Sequence, residues 1–308
     1  MHLLPALDSP TSSLAATTGN NRAQPRKDAG ASAAMTMNSK PELVAEAQAA
    51  EPNAPPGWSM AAPYKFPIDK LKRRTTHADF NPLVLVACGS FSPITMLHVQ
   101  MFEMSAKYIE EHPQFEVVGN YLSPVSDSYT AKALTPAYHR LAMCELAVKD
   151  TDIMVDPWEA SRRDEQGKPV YTRTADALAH FDHEINNVLG GIQAPDGTYK
   201  RARVALLIGA DVAMTMGDPK VWAPADIDAI FEDFGVFIVE RPAQADIEKV
   251  LVPLKKYKKV WVVPSFINDV SSTKVRAHLK NGHSVRDSVD ELVIDYISNN
   301  GLYQGPGR

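Results

Sequence analysis

The stretch Leu83-Val-Leu-Val-Ala-Cys-Gly-Ser-Phe-Ser-Pro-Ile-Thr-Met-Leu-His98 decides how this chain folds. Its first four residues are apolar without a break, which predicts a strand covered on both faces and therefore a parallel sheet. Gly89 then opens a small turn, Pro93 prevents the strand from continuing, and "LHVQMFEMSAKYIEEH" carries apolar residues at helical spacing. A helix start exposes unpaired backbone N–H groups and roughly half a positive charge, so such a turn suits a phosphate. His98 stands where its ring could donate to a phosphate oxygen. Taken alone, the turn reads more readily as an ordinary helix cap. It contains neither G-x-G-x-x-G nor G-x-x-x-x-G-K-[ST], so a dinucleotide-dependent oxidoreductase and a P-loop enzyme are not signalled. Its pattern is G-x-F-x-P-x-T-x-x-H.

Outward from this stretch, apolar runs alternate with amphipathic ones. "LVLVAC", "FEVVGNY", "DIMV", "RVALLIG", "FGVFIVE" and "KVWVV" read as strands. "LHVQMFEMSAKYIEEH", "PAYHRLAMCELAVKD", "RTADALAHFDHEI" and "ADIEKVLVPLKKY" read as helices, with Thr135 and Pro136 as cap and first-turn residue of the second. Such alternation predicts an α/β fold built of right-handed βαβ units into a doubly wound parallel sheet, ending in a helical C-terminal part. Ligands in these sheets bind beyond the carboxyl ends of the strands, where strand order reverses. The segment "NNVLGGIQAPDGTYKR" reads as a surface insertion without chemistry.

Residues 1–62 have the Ala, Ser, Thr and Pro-rich composition of a disordered tail, leaving 63–308 as a single domain. "KLKRR" at Lys70–Arg74 reads either as a nuclear address or as a solvated segment before the first strand. The 308 residues are 44% hydrophobic with a net charge of −5, which argues against a general nucleic-acid binder. Cys88 and Cys144 suggest neither a disulfide framework nor a zinc site. No apolar run has the length of a membrane span, and the first twenty residues make a poor secretory or mitochondrial leader. A nuclear or cytoplasmic protein is expected.

The second candidate for chemistry is "INDVSSTKVRAHLKNG". Asn268, Asp269, Ser271, Ser272 and Thr273 are all cap-forming types ahead of a helix, and Lys274 and Arg276 add positive charge. By itself this is a well-capped helix. Paired with the Gly and His turn, it supplies two helix N-termini, a His, a Lys and an Arg, as a reacting triphosphate would require.

"GSFSPITMLH", "SPVSDSY", "PAYHR", "YTRT", "GAD", "VW", "ERP" and "NDVSSTKVR", in this order, resemble the nicotinamide mononucleotide adenylyltransferases, most closely the fungal members. The similarity runs from about Tyr64 to Tyr303. The first motif is that of the wider nucleotidylyltransferase superfamily, whose fold is a Rossmann-like sheet and whose usual H-x-G-H is here Thr95-Met-Leu-His98. The resemblance implies transfer of AMP from ATP to nicotinamide mononucleotide or its nicotinic acid form, giving NAD or deamido-NAD and pyrophosphate. The mononucleotide phosphate would attack in line, with no covalent enzyme intermediate. Magnesium would arrive on the ATP, and a homo-oligomer is implied.

By the same resemblance, His98 and Arg276 are the expected catalytic residues. Gly89, Ser90, Phe91, His98, Lys132, Gly209, Asp211, Asn268, Ser272, Thr273, Lys274 and Arg276 are expected to meet ATP and its phosphates. Ser90, Phe91, Tyr171, Thr174, Val221, Trp222 and Arg241 are expected to meet the mononucleotide. Lys132, in "TAKA", stands one position away from the usual basic residue and ranks below Arg276. Trp158 in "DPWE" reads as structural, and His139 and Arg140 as packing or salt-bridge residues. Competing readings are a transferase acting on pantetheine phosphate or with a cytidyl donor, and a binding or chaperone-like protein that has kept the fold.

Overall fold

The computed structural model describes residues 64–129, 134–266 and 269–304. The expected tail, Lys132 and Asn268 lie outside them. In chain order the elements are β1 (Asn81–Gly89), α1 (Met96–Glu111), β2 (Phe115–Pro124), α2 (Ala137–Ala147), β3 (Ile153–Val155), α3 (Trp158–Ser161), α4 (Thr174–Asp182), β4 (Ile192–Gln193) and β5 (Tyr199–Lys200). There follow β6 (Arg203–Gly209), α5 (Ala210–Ala213), α6 (Pro224–Ala229), β7 (Val236–Val239), α7 (Ile247–Leu251), β8 (Val260–Val263), α8 (Ser272–Lys280) and α9 (Glu291–Asn299).

Six strands form one sheet in the order β3-β2-β1-β6-β7-β8, with every pairing parallel. Counted along the chain this is 3-2-1-4-5-6, a doubly wound Rossmann-type order whose reversal falls between β1 and β6. Leu83, Val84, Leu85 and Val86 are all fully buried. Leu83 and Leu85 enter one core, with Phe102 and Leu141, while Val84 and Val86 enter the other, with Leu178 and Phe231. The unbroken apolar run thus reflects helices on both faces, each such side chain contributing about 1.5–3 kcal/mol on burial.

Arg140 of α2 is fully buried. Its guanidinium donates to the carbonyls of Thr135, Ser90 and Val125 at 2.8, 3.0 and 2.7 Å and to Asp127 Oδ1 at 2.9 Å. One side chain therefore ties the turns after β1 and β2 to the start of α2. The same helix begins one residue later than expected: Pro136 is its N-cap, and the Ala137 N–H is satisfied by Asp127 Oδ2 at 3.0 Å instead of by Thr135.

One further expectation needs correction, that of a long helix at "ADIEKVLVPLKKY", and two other stretches gain detail. The segment read as a surface insertion without chemistry carries the β4–β5 hairpin, with Ile192 fully buried and Gln193 bonded to the Arg73 and Thr75 backbone, and none of it lines the cavity described below. The long helix expected at "ADIEKVLVPLKKY" is the short α7 followed by a 3₁₀ turn, because Pro253 cannot supply a helical N–H. In "KLKRR", Lys70 donates to the Val148 and Ile153 carbonyls, Lys72 to Val117 and Arg73 to Leu189. With Leu71 buried among them, the run acts as a strap across the domain. Among the described residues no helix is long and apolar enough to cross a membrane.

Candidate active site

A cavity of ≈ 340 Å³ opens at the carboxyl ends of β1 and β6, at the reversal of strand order. Of the expected residues it is lined by Gly89, Ser90, Phe91, His98, Tyr171, Thr174, Gly209, Asp211, Val221, Trp222, Arg241, Ser272, Thr273 and Arg276. Residues from six separate stretches of sequence thus meet in one space.

The turn after β1 is shaped from within. Phe91 is buried and held at a φ of 43°, in the left-handed region. Its ring lies where a side chain on residue 89 would go: a Cβ there would come within 3.0 Å of Phe91 Cζ. A side chain at 89 would therefore crowd the Phe91 ring, which supports the turn from beneath. The Phe91 ring also meets His98 edge-on, with centroids 5.2 Å apart.

His98 sits in the first turn of α1 with its Nδ1 accepting from the Thr95 N–H at 3.0 Å, and the Thr95 hydroxyl lies 2.8 Å from the same nitrogen. Burial, followed by the nearby Arg241 cation, lowers its pKa to about 4. The ring is consequently neutral near pH 7, and the accepting role of Nδ1 leaves its proton on Nε2. Such a ring is a hydrogen-bond donor at Nε2. It is poorly suited to act as a base or a nucleophile there.

The second corner docks onto the first. Ser272 Oγ donates to the Pro93 carbonyl at 2.8 Å, and Arg276 donates through Nη1 to the Ser92 carbonyl at 2.7 Å and through Nη2 to Thr273 Oγ1 at 3.3 Å. Ser271 caps α8 by accepting from the Lys274 N–H. The N-termini of α1 and α8 are thereby brought to one cavity with the positive ends of their backbones. Lys274 departs from this arrangement. Its ammonium pairs with Asp269, and it does not line the cavity.

Gly209 ends β6, and a Cβ on it would meet Asp211 Oδ1 at 2.5 Å, so the glycine makes room for the carboxylate. Asp211 Oδ1 lies 3.5 Å from Arg241 Nη1 and has no hydrogen-bond partner among the described residues. Arg241, just beyond β7, is buried and donates to the Val270 carbonyl at 2.7 Å, while its Nε has no such partner. These orphaned polar atoms at the cavity wall are what a polar ligand would satisfy.

At the other end, the Tyr171 ring is half exposed and stacks on Tyr129, with centroids 6.1 Å apart and planes at 24°. The Trp222 indole is held by donation from Nε1 to Thr215 Oγ1 at 3.0 Å. Trp158 does not line the cavity. It lies flat against His180 at 4.0 Å, in agreement with a structural reading.

Sequence reasoning missed Cys88, Tyr129, Glu159 and Thr172 on the cavity wall. Glu159 stands next to the tryptophan of "DPWE", so its position in the sequence was in view. Nothing in its spacing distinguishes a carboxyl turned inward from a solvated one. Its side chain is 2% exposed and accepts from Ser123 Oγ at 2.8 Å. Burial pushes its pKa up to about 7, against the opposing effects of Ser123, Arg140 and Arg162. Among the described residues no group of three or more His, Cys, Asp or Glu side chains could hold a metal ion.

Residues 86–278, more than half of the chain, match the cytidylyltransferase-like family. "Nicotinamide/nicotinic acid mononucleotide adenylyltransferase 2" of Saccharomyces cerevisiae is 43% identical over 247 residues, covering 78% of this chain and 61% of that protein. The Schizosaccharomyces pombe enzyme of the same name, without the numeral, is 43% identical over 248 residues, covering 78% and 66% respectively. The Arabidopsis thaliana protein so named is 33% identical over 244 residues, covering 77% of this chain and 97% of its own length. The chain spans about two thirds or less of the yeast relatives but almost all of the plant one. On the family match and these identities, the chain belongs to the cytidylyltransferase-like family and, within it, to the nicotinamide/nicotinic acid mononucleotide adenylyltransferases.

Proposed function

We propose that the chain transfers AMP from Mg·ATP to nicotinamide mononucleotide, and to its nicotinic acid form, releasing pyrophosphate. The observation that carries this reading is the meeting of His98, Ser272, Thr273 and Arg276 with Tyr171 and Trp222 in one cavity. A phosphate oxygen of the mononucleotide forms a bond to the α-phosphorus of ATP while the bond to the pyrophosphate oxygen breaks. No protein nucleophile enters. The task of the protein is to align the two nucleotides and to neutralise charge accumulating on the leaving phosphates.

In this reading the neutral His98 donates from Nε2 to a phosphate oxygen, and the α8 N-terminus and Arg276 meet the β- and γ-phosphates. Gly209 and Asp211 receive the adenosine. Trp222 and Tyr171 present aromatic faces to the cationic pyridine ring. The magnesium ion belongs to the ATP substrate. A homo-oligomeric assembly and a nuclear or cytoplasmic location are part of the same proposal.

The test is an acceptor profile. Protein, ATP and magnesium are incubated with each pyridine mononucleotide, with pantetheine phosphate, and with CTP replacing ATP. NAD and deamido-NAD formation with equimolar pyrophosphate is expected. Product from pantetheine phosphate alone, or only with CTP, would replace this reading.

A further inference from the structure

Glu159 turns a buried carboxyl group toward the cavity wall, and the phosphate chemistry gives it no task. It lines the cavity together with Tyr171, Thr172 and Thr174, and Arg162, directly after its helix, donates to Thr172 Oγ1 at 2.9 Å. It therefore sits with the aromatic slot and away from the phosphate grip. We propose that Glu159 governs the choice between the amide and acid forms of the mononucleotide, its carboxyl group facing the carboxamide or carboxylate carried by the pyridine ring. This rests on the adenylyltransferase reading above and deepens it.

No cation neutralises Glu159 directly, since no ion pair to it exists among the described residues. Arg140, on α2, is committed to Asp127 and three carbonyls. Arg162, after α3, donates to Thr172 Oγ1 at 2.9 Å and lies over the Trp158 ring. Asp156, ahead of α3, adds a like charge and accepts from the Tyr64 hydroxyl at 3.0 Å. Cys88 on β1 and Tyr171 before α4 face Glu159 as neutral groups, each held protonated by burial. From β2, Ser123 donates to the carboxyl at 2.8 Å.

Two protonation states then read two substrates. The ionised carboxylate accepts from the amide N–H of the nicotinamide form and repels the carboxylate of the nicotinic acid form. The protonated carboxyl donates to that carboxylate and tolerates the amide oxygen. Because burial brings its titration near neutrality, the discrimination varies with pH in the accessible range.

The experiment is the ratio of kcat/KM for the acid form to that for the amide form, from about pH 5.5 to about pH 8.5. Both substrates carry the same ribose and phosphate, so their shared titrations cancel. In the wild-type protein the ratio should fall roughly tenfold or more as pH rises through the Glu159 titration. In Glu159→Gln the ratio should be flat and near the wild-type low-pH value. In Ser123→Ala the carboxylate loses its donor, so the inflection should move to higher pH. Calorimetric binding of the two mononucleotides to wild-type protein and Glu159→Gln should show the same pattern without turnover. A flat wild-type ratio, or a Glu159→Gln profile that retraces the wild type, would overturn the assignment while leaving the adenylyltransferase reading intact. Failure of both mononucleotides to accept AMP would overturn that reading, and this assignment with it.

Discussion

Arg276 Nη1 donates to the Ser92 carbonyl oxygen at 2.7 Å across 184 residues of sequence. Together with the Ser272–Pro93 contact, this bond fixes the start of α8 against the turn that follows β1. The consequence is chemical as well as structural. Two helix N-termini, with the positive ends of their backbones, open onto one cavity at the reversal of strand order.

Replacing His98 by Ala should lower turnover by about 100-fold, the scale for losing a donor to developing charge. The Phe91 and Thr95 contacts are local, so the unfolding transition should stay cooperative. Turnover within a few-fold of wild type in a folded variant would remove the donor role.

His98 also gives a pH signature. Its pKa is about 4 when folded, against an ordinary value of 6.5. Between these values the unfolded chain takes up a proton that the folded chain refuses, so the stability contributed by a neutral His98 is intact above about pH 6.5 and lost toward pH 4. Denaturant unfolding of wild type and His98→Gln should therefore diverge as pH falls, with the wild type losing more. A constant difference between the two across that window would contradict the neutral ring.

Trp222→Ala should raise KM for the mononucleotide roughly tenfold, as expected from losing an aromatic stacking partner. KM for ATP should change little. An equal loss for both substrates would contradict the assignment of Trp222 to the pyridine ring.

Much of the architecture could be read from composition and period, and particular residues show where that reading stopped. "LVLV" gave a strand covered on both faces because no polar residue interrupts it. Thr135-Pro136 misled by one position because the cap comes from Asp127, ten residues before Ala137. The hairpin at Ile192–Lys200 was hidden because two-residue strands show no alternation, and its pairing with the Arg73–Thr75 backbone is a long-range fact. About half of the cavity residues were named by matching motifs. Glu159 was not, and Thr172, though inside "YTRT", was not singled out, since burial of a polar side chain depends on packing between distant elements.

Lys274 tests the difference between motif and geometry. It lies within the motif, yet its ammonium pairs with Asp269 beside the cavity. Lys274→Ala should reduce kcat/KM by less than about fivefold, the scale of an exposed ion pair. A loss as large as that of His98→Ala would show that the ammonium leaves Asp269 for the phosphates.

Arg140→Met should destabilise the fold by about 3–5 kcal/mol in denaturant unfolding, because Asp127 and three carbonyls lose a buried donor. A shift below about 1 kcal/mol would mean that the turns after β1 and β2 hold without it.

The central claim is that both corners grip one triphosphate. A crystal structure of the chain with magnesium and a non-hydrolysable ATP analogue tests it most directly. The phosphates should lie between the two helix N-termini, with His98 Nε2 and either Arg276 or the backbone N–H groups of Ser272 and Thr273 in hydrogen-bond contact with them. A triphosphate bound elsewhere, or touching only one corner, would contradict it.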